Sequence, residues 1–242
     1  AAPLTPWVFL LPALLLTGLL VAGMAPLLDA SLRSLDRATF RMAEGYSLAN
    51  YAGLLERPAY GRMALRTVGG AAIVTVVTLV LAFPYAWLMV RTPRPAVRKL
   101  LLVALFLPFF IGQVVRAYGW LIVLGKQGLL NAALAGLGLP ALSILYTYPG
   151  VLVGLVQYML PFAVLMLAPA LTAVPEEVEL ASASLGARPW GTFRRIVLPL
   201  AKPGLVAAAV VVFTLTLTDF AMPEIMGGGG NDFIASAVYD AF

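Results

Sequence analysis

The chain has 242 residues, of which 62% are hydrophobic and 11% charged; it carries a formal net charge of +5 and contains no Cys or His. Its mean hydropathy of +0.96 excludes a soluble domain with a hydrated surface. We therefore expect an integral membrane protein. Because the chain has no Cys or His, disulfide frameworks, thiolate metal sites and imidazole chemistry are excluded, and we expect no metal site.

Five apolar segments are long enough, or nearly so, to cross a hydrocarbon core of roughly 30 Å as helices. The sequence therefore predicts an all-α, polytopic transmembrane bundle that forms a single domain over residues 1–242. The predicted helices lie at about residues 7–28, 67–90, 100–124, 148–171 and 203–222. The first helix is expected to be retained and not cleaved as a signal peptide, because it is long, rich in Pro and has no basic segment before it. Trp7 is expected at the membrane interface.

Basic residues between the helices predict the orientation. The link at 91–99 carries four cations and no acid, and residues 175–202 carry Arg188, Arg194, Arg195 and Lys202. Both are therefore predicted to be cytoplasmic. Residues 29–62 and 125–147 are then external, although the first of these loops also holds several Arg beside its acids, and a short helix is predicted to begin within residues 47–51.

A polar, Arg-bearing segment separates the fourth and fifth predicted helices. Pro175 predicts the start of a short helix, three glutamates follow near its positive end, and Gly186 predicts its end. A second short helix is expected at residues 189–197. Two such helices could project into a groove on a partner, where Arg194 and Arg195 would meet acidic side chains or lipid phosphates. The alternative is a surface loop that is only solvated.

The spacing in this segment resembles the EAA loop of ABC-importer permeases, in which Glu-Ala-Ala precedes Gly by three residues and Ile, then Leu-Pro, follow it. Residues 112–131, 160–162 and 218–231 also resemble the spermidine/putrescine-type branch of that family. The usual Glu position, six before Gly186, holds Leu180, so its contact is either absent or made by Glu179. The residues expected to couple to an ATPase are Glu179, Ala181, Ser182, Gly186, Ala187, Arg194, Arg195, Ile196, Leu198 and Pro199.

The resemblance implies a type I ABC importer permease subunit of the bacterial inner membrane that works by alternating access. It implies a separate ATPase that binds ATP and Mg²⁺, a second permease that is identical or homologous, and an external, periplasmic binding protein. It also implies a sixth span beyond the five. This chain has no phosphate-binding loop of its own, so no cofactor is expected in it. Its basic residues are spread over the loops between helices, a distribution that indicates a protein in a lipid bilayer and not a nucleic-acid-binding protein. A polyamine is the first choice of solute, and an amino-acid-like, opine-like or other small solute stays open.

Polar residues within the predicted spans are candidates for the solute path or gate. They are Gln113, Arg116, Trp120, Gln157, Tyr158, Thr216, Asp219 and Glu224. Counted at about 1.5 Å per residue from the cytoplasmic helix ends, Arg116 and Asp219 lie at the same height of roughly 24 Å. An ion pair between them, separate interfacial positions and direct contact with the solute all stay open. Gln157, near mid-membrane, is expected to line the pore or to make an interhelical hydrogen bond.

Two other classes of function were weighed against this one. An ion-gradient-driven secondary transporter is compatible with the helix-breaking Pro at 84, 108 and 161, but no acid lies at the centre of a span and the polar segment would be unexplained. An intramembrane enzyme is the weakest alternative, because the spans contain neither a nucleophilic Cys nor paired carboxylates at their centres.

Overall fold

The computed structural model describes residues 5–36 and 41–239, without the side chains of residues 5–9, 36, 44 and 55. The side chain of Trp7, predicted at the membrane interface, and Arg37 of the external loop therefore lie outside the described residues. Contacts divide the chain into two compact units, residues 1–62 and 63–242, where the sequence predicts one domain.

The described chain is mostly helical, with connecting turns and loops and one strand hairpin. A 3₁₀ turn covers Leu107–Phe110, and a π-helical turn covers Phe193–Val197. Strands β1 (Arg33–Asp36) and β2 (Arg41–Tyr46) pair antiparallel, an element that the sequence did not predict. The helices are α1 (Thr5–Ser31), α2 (Ala49–Glu56), α3 (Pro58–Arg91), α4 (Pro95–Phe106), α5 (Gln113–Leu124), α6 (Leu129–Gly136), α7 (Tyr148–Thr172), α8 (Glu176–Ser184), α9 (Pro189–Thr192), α10 (Leu198–Leu200), α11 (Lys202–Leu217), α12 (Ala221–Gly227) and α13 (Ile234–Tyr239).

The first unit consists of α1, the hairpin and α2. Arg33 forms an ion pair with Asp29 at 3.0 Å, and the Asn50 side chain donates hydrogen bonds to the carbonyl oxygens of Ser31 and Arg33. These bonds fasten the start of α2 to the end of α1 and to β1. The short helix predicted to begin within residues 47–51 is confirmed, since α2 begins at Ala49.

Helix α7 forms the centre of the second unit, with α11 packed along it. The two helices approach closely at Gly204, where an added Cβ would overlap the Cβ of Ala170. Further along α7, an added Cβ on Gly154 would lie 2.7 Å from the sulfur of Met226 in α12. Small residues at these two positions therefore allow α11 and α12 to pack directly on the backbone of α7.

The structure corrects two of the predicted spans. Helices α1, from Leu10, α3 and α7 are each long and apolar enough to cross a membrane, and α7 matches its predicted bounds to one residue. The predicted helix at 100–124 is instead broken at Ile111 and Gly112, where the backbone is extended, and the segments Pro95–Phe110 and Gln113–Gly136 on either side meet at 104°. Pro108 lies in the 3₁₀ turn just before this break. Helix α11 ends at Leu217, short of the predicted 222, and meets the segment Pro189–Leu200 at 70°.

Two motifs of the predicted external side have structural roles. The Asn131 side chain donates to the carbonyl oxygens of Gly125, Lys126 and Leu142, and it accepts a bond from Leu142 N at 2.8 Å. It therefore closes the loop that follows α5. The glycine run that begins at the last residue of α12, Gly227, forms a turn in which Gly228 and Gly229 have positive φ, a conformation that glycine adopts readily.

Candidate functional site

Residues 175–202, called the insert from here on, begin with a short helix whose two ends are set by local chemistry. Pro175 is extended, and α8 starts immediately after it with three glutamates in its first turn. The helix ends in a Schellman motif, in which Gly186 N donates to Ala183 O at 2.9 Å and Ala187 N donates to Ser182 O at 3.1 Å. Gly186 has a φ of +82°, so the predicted helix end at this residue is confirmed.

The second arm of the insert is helical from Pro189 to Leu200, with the π-helical turn in its middle. It is joined to the first arm by a buried hydrogen bond of 2.9 Å between the hydroxyls of Ser182 and Thr192. Ser182, one of the predicted coupling residues, is therefore buried, with its hydroxyl between the two arms. Thr192 was not predicted, because its position ten residues from Ser182 gives no periodic signal.

Side chains of both arms line a groove of about 700 Å³ on the outward side of the insert. Leu185 and Trp190, which the sequence analysis did not single out, border it with 89% and 69% of their surface exposed. Both are apolar residues in a polar segment, which is the signal that could have identified them. Of the predicted coupling residues, Ala181, Gly186, Ala187, Arg194, Arg195 and Pro199 are exposed, and Ile196 and Leu198 are half-buried.

Glu179 does not point outward with the other predicted coupling residues. Its Oε1 accepts hydrogen bonds from Nη2 and Nε of Arg91 at 2.6 and 3.0 Å, and the two side chains are only 16% and 13% exposed. Leu180, at the usual Glu position, is 61% exposed instead. The structure thus corrects the expectation that Glu179 supplies a contact to a partner, because this carboxylate is used within the chain.

The predicted path residues come together where α5, α7 and α12 meet. Gln113 Nε2 donates to Asp219 Oδ2 at 2.6 Å, and Asp219 Oδ1 accepts a bond from Met222 N at 3.0 Å. The Asp219 carboxylate, in a residue that is only 7% exposed, therefore caps α12 and ties it to the first residue of α5. We call this group the polar cluster, consisting of Gln113, Arg116, Trp120, Gln157, Tyr158 and Asp219.

Arg116 lies over the ring of Tyr158, with Cζ 4.7 Å from the ring centroid. It is not ion-paired with Asp219, and its buried Nε and Nη1 have no hydrogen-bond partner in the described part of the chain. Of the three alternatives left open for Arg116 and Asp219, the ion pair is therefore absent from this structure. The equal heights assumed two continuous helices, whereas the chain bends by 104° between Phe110 and Gln113, and the Gln113 side chain donates to Asp219.

The other path candidates lie on α5, α7, α11 and α12. Trp120 Nε1 donates to Gln157 Oε1 at 3.4 Å, so Gln157 makes the interhelical hydrogen bond that was one of its two expected roles. Thr216 is fully buried near the end of α11, and its hydroxyl has no partner among residues 5–36 and 41–239. Glu224 is half-buried in α12. The cluster offers charge, amide and aromatic groups for binding, and it has no nucleophile paired with a base for covalent catalysis.

Comparison with known proteins shows which family the chain belongs to. Residues 49–240 match the family described as "Binding-protein-dependent transport system inner membrane component". The chain is 38% identical to the inner membrane ABC transporter permease protein YdcU of Escherichia coli K12, over 84% of this chain and 69% of the relative. It is 35% identical to the spermidine/putrescine transport system permease protein PotB of Salmonella typhimurium SL1344, over 80% and 67%.

A more distant relative is the molybdenum transport system permease protein ModB of Azotobacter vinelandii, 34% identical over 65% of this chain and 69% of the relative. A crystal structure of a bacterial alginate ABC transporter, bound to a periplasmic protein carrying an alginate pentasaccharide, has a chain with a TM-score of 0.73. That match covers 98% of this chain and 83% of the other at 16% identity, which establishes the fold.

These relatives are multi-pass permease subunits of the inner membrane, and permeases are membrane paths rather than enzymes. The family match therefore favours an ABC importer over the ion-gradient-driven alternative. This chain belongs to the family of binding-protein-dependent transport system inner membrane components and is a permease subunit of an ABC importer.

Proposed function

We propose that the chain forms one half of the path through an ATP-driven importer, beside a second permease that is identical or homologous. A separate ATPase binds ATP and Mg²⁺ and docks on the insert, and a periplasmic binding protein delivers the solute. Cycles of ATP binding and hydrolysis then open the path alternately to the two sides of the membrane.

The observation that carries this proposal is the outward groove of the insert. Two large apolar side chains, Leu185 and Trp190, are largely exposed beside Arg188 and Arg195 on a short helical projection. Aromatic and arginine side chains of this kind often dominate the binding energy of protein interfaces. An ATPase surface with an apolar pocket rimmed by acids would complement them.

The docking is tested by cross-linking, for which the native chain is suited because it has no Cys. Ala187→Cys places one thiol on the exposed rim of the groove, and Ala135→Cys places one on the exposed surface of α6 as a matched control. We expect the first variant alone to capture the co-expressed ATPase in membranes, with a yield that changes with nucleotide. Equal capture at both positions, or capture at neither, would contradict the docking.

The proposed solute is a polyamine. The relatives named for spermidine and putrescine transport support this choice, and so do two acidic residues near the predicted external end, Asp219 and Glu224. The rings of Tyr158 and Trp120 lie in the same region and could receive ammonium groups through cation–π contacts.

A carboxylate-bearing, amino-acid-like solute is the second candidate, and Arg116 favours it. Its guanidinium is always charged, and two of its buried N–H groups have no protein acceptor in the described residues. Leaving charged donors unpaired in a protein interior is costly, so a carboxylate of the solute would be a favourable acceptor.

The two candidates are separated with a matched pair of competitors in uptake assays on the complete transporter. Putrescine and 4-aminobutanoate share a four-carbon chain and differ in that a carboxylate replaces one ammonium group. If the polyamine proposal is correct, unlabelled putrescine blocks uptake of labelled putrescine and 4-aminobutanoate does not. Uptake of 4-aminobutanoate in place of putrescine would establish the second candidate.

A further inference from the structure

Arg91 is the last residue of α3 and binds two parts of the chain that are distant in sequence. Its Nη2 donates both to Glu179 Oε1, at 2.6 Å, and to the carbonyl oxygen of Val174, at 2.7 Å. Val174 follows the end of α7, whereas Glu179 lies in α8 of the insert. One side chain thus joins α3, the end of α7 and the insert.

This contact differs from the other ion pair in the described part of the chain. Asp29 and Arg33 are four residues apart in a partly exposed pair, which typically contributes little. Arg91 and Glu179 are 88 residues apart, are mostly buried and share two hydrogen bonds. Their geometry therefore fixes the position of α8 relative to the end of α3.

The end of α3 is itself fastened to the next helix. Arg98, in α4, donates from Nε to Met89 O at 3.2 Å and from Nη2 to Val90 O at 2.9 Å. Cationic donors placed at the C-terminus of a helix stabilise its free carbonyl groups. The basic link at 91–99 therefore has a mechanical role in addition to the topological role predicted from its charge.

A second contact connects α3 with the insert independently of charge. Phe83, one of the buried residues of α3, meets Phe193 edge to face, with ring centroids 5.1 Å apart. Phe193 in turn stacks on Trp190 at the groove, also at 5.1 Å. A displacement of the groove by a docked ATPase would consequently reach α3 through packed rings as well as through the ion pair.

We propose that Arg91 is the positioning residue that transmits motion of the insert to α3, so that the ATPase drives three helices, α3, α7 and α11, instead of only the two that flank the insert. This inference rests on the proposed docking of an ATPase to the insert. Glu179 is then the receiving end of an internal connection, and loss of either side chain uncouples ATP hydrolysis from transport without preventing docking.

The test uses the complete transporter in proteoliposomes and measures uptake and ATP hydrolysis on the same preparation. Glu179→Gln removes one charge of the pair with little change in shape, and Arg91→Gln removes the other charge together with the guanidinium donors to Glu179 and Val174. We expect each to lower the amount of solute taken up per ATP at least about fivefold, while capture of the ATPase at Ala187→Cys stays within twofold. The charge-exchanged double variant, Arg91→Glu with Glu179→Arg, should recover part of the ratio, because it restores the ion pair but not the bond to Val174.

Arg94→Gln is the matched control, since it removes one positive charge from the same link at an exposed position. It should leave the ratio unchanged. The inference is overturned if Arg91→Gln and Glu179→Gln transport as the wild type does, or if Arg94→Gln lowers the ratio equally. It is also overturned if both Arg91 and Glu179 variants lose capture at Ala187→Cys, since the pair would then shape the docking surface. Failure of Ala187→Cys in an otherwise unchanged chain to capture an ATPase would instead contradict the docking proposal.

Discussion

The insert and the polar cluster hold most of the candidate functional residues, and they are built in opposite ways. The insert is a contiguous piece of chain whose helices, reversal and groove come from neighbouring residues. The cluster is assembled from α5, α7 and the residues around α12, which are far apart in sequence. Interactions between neighbouring residues therefore determine the structure of the insert, whereas the structure of the polar cluster depends on where the helices break. The substitutions below test that difference, in order of decreasing expected effect.

The largest effect is expected in the cluster, for Asp219→Ala. It leaves the Gln113 amide and the Met222 N–H without acceptors in a buried position, which should cost about 2–4 kcal/mol of unfolding free energy. Thermal unfolding of the purified protein in detergent measures the change. Asp219→Asn is the control, because it keeps an acceptor for Met222 N and should cost much less. Equal destabilisation by both substitutions would show that charge, rather than capping, is what matters.

A smaller and more local effect is expected for Gly186→Ala in the insert. An L-residue in the left-handed conformation costs about 1–2 kcal/mol, so the Schellman reversal should be strained while the cluster is unaffected. Capture of the ATPase at Ala187→Cys should fall several-fold. Gly136→Ala is the control, because Gly136 ends helix α6, outside the insert, and an added Cβ there meets no atom. If Gly136→Ala reduces capture as strongly, the reversal is not the reason.

The hydroxyl pair between the two arms should give an effect of about 1 kcal/mol. Ser182→Ala alone leaves the buried Thr192 hydroxyl unpaired, and Thr192→Val alone does the same to Ser182. The double substitution should cost less than the sum of the single ones. Unfolding free energies of the four proteins in this cycle measure the coupling, and strictly additive costs would mean that the bond contributes nothing.

The smallest change in stability is expected for Arg116→Gln. Removing the guanidinium loses its contact with Tyr158 but also removes two unpaired buried donors, so the net change should stay within about 1 kcal/mol. Thermal unfolding checks this, with Arg116→Lys as the comparison that keeps the charge. A loss several times larger would show that Arg116 has a structural partner outside this chain, such as the second permease.

Which features could be predicted follows from the range of the interactions that create them. Gly186 and the two short helices of the insert were predictable, because a cap, a dipole and a left-handed residue act within a few positions. The helix α7 was predictable because it is a long, uninterrupted apolar run. The Arg91–Glu179 pair was not predictable, because 88 residues separate the two partners. Each residue also had a local explanation, Arg91 as a cation of the basic link and Glu179 as part of the EAA-like motif.

The break between Phe110 and Gln113, just after the turn that holds Pro108, shows the same limit for a different feature. A Pro within an apolar run is compatible with a kinked helix or with two separate helices, and residue spacing alone does not distinguish them. The angle of 104° decides where Gln113 and Arg116 point, and therefore which of them meets Asp219. The residues of the cluster were correctly grouped by polarity, but their pairing required the geometry.

The close approach of α11 to α7 at Gly204 and Ala170 has a consequence for how force enters the membrane. The insert leaves from the end of α7 and returns at the start of α11, so both of its stems belong to one tightly packed helix pair. A displacement of the groove is therefore transmitted to α7 and α11 together and does not separate the two helices. Because the segments Pro189–Leu200 and Lys202–Leu217 meet at 70°, a short displacement of the insert would rotate the helix pair that carries it.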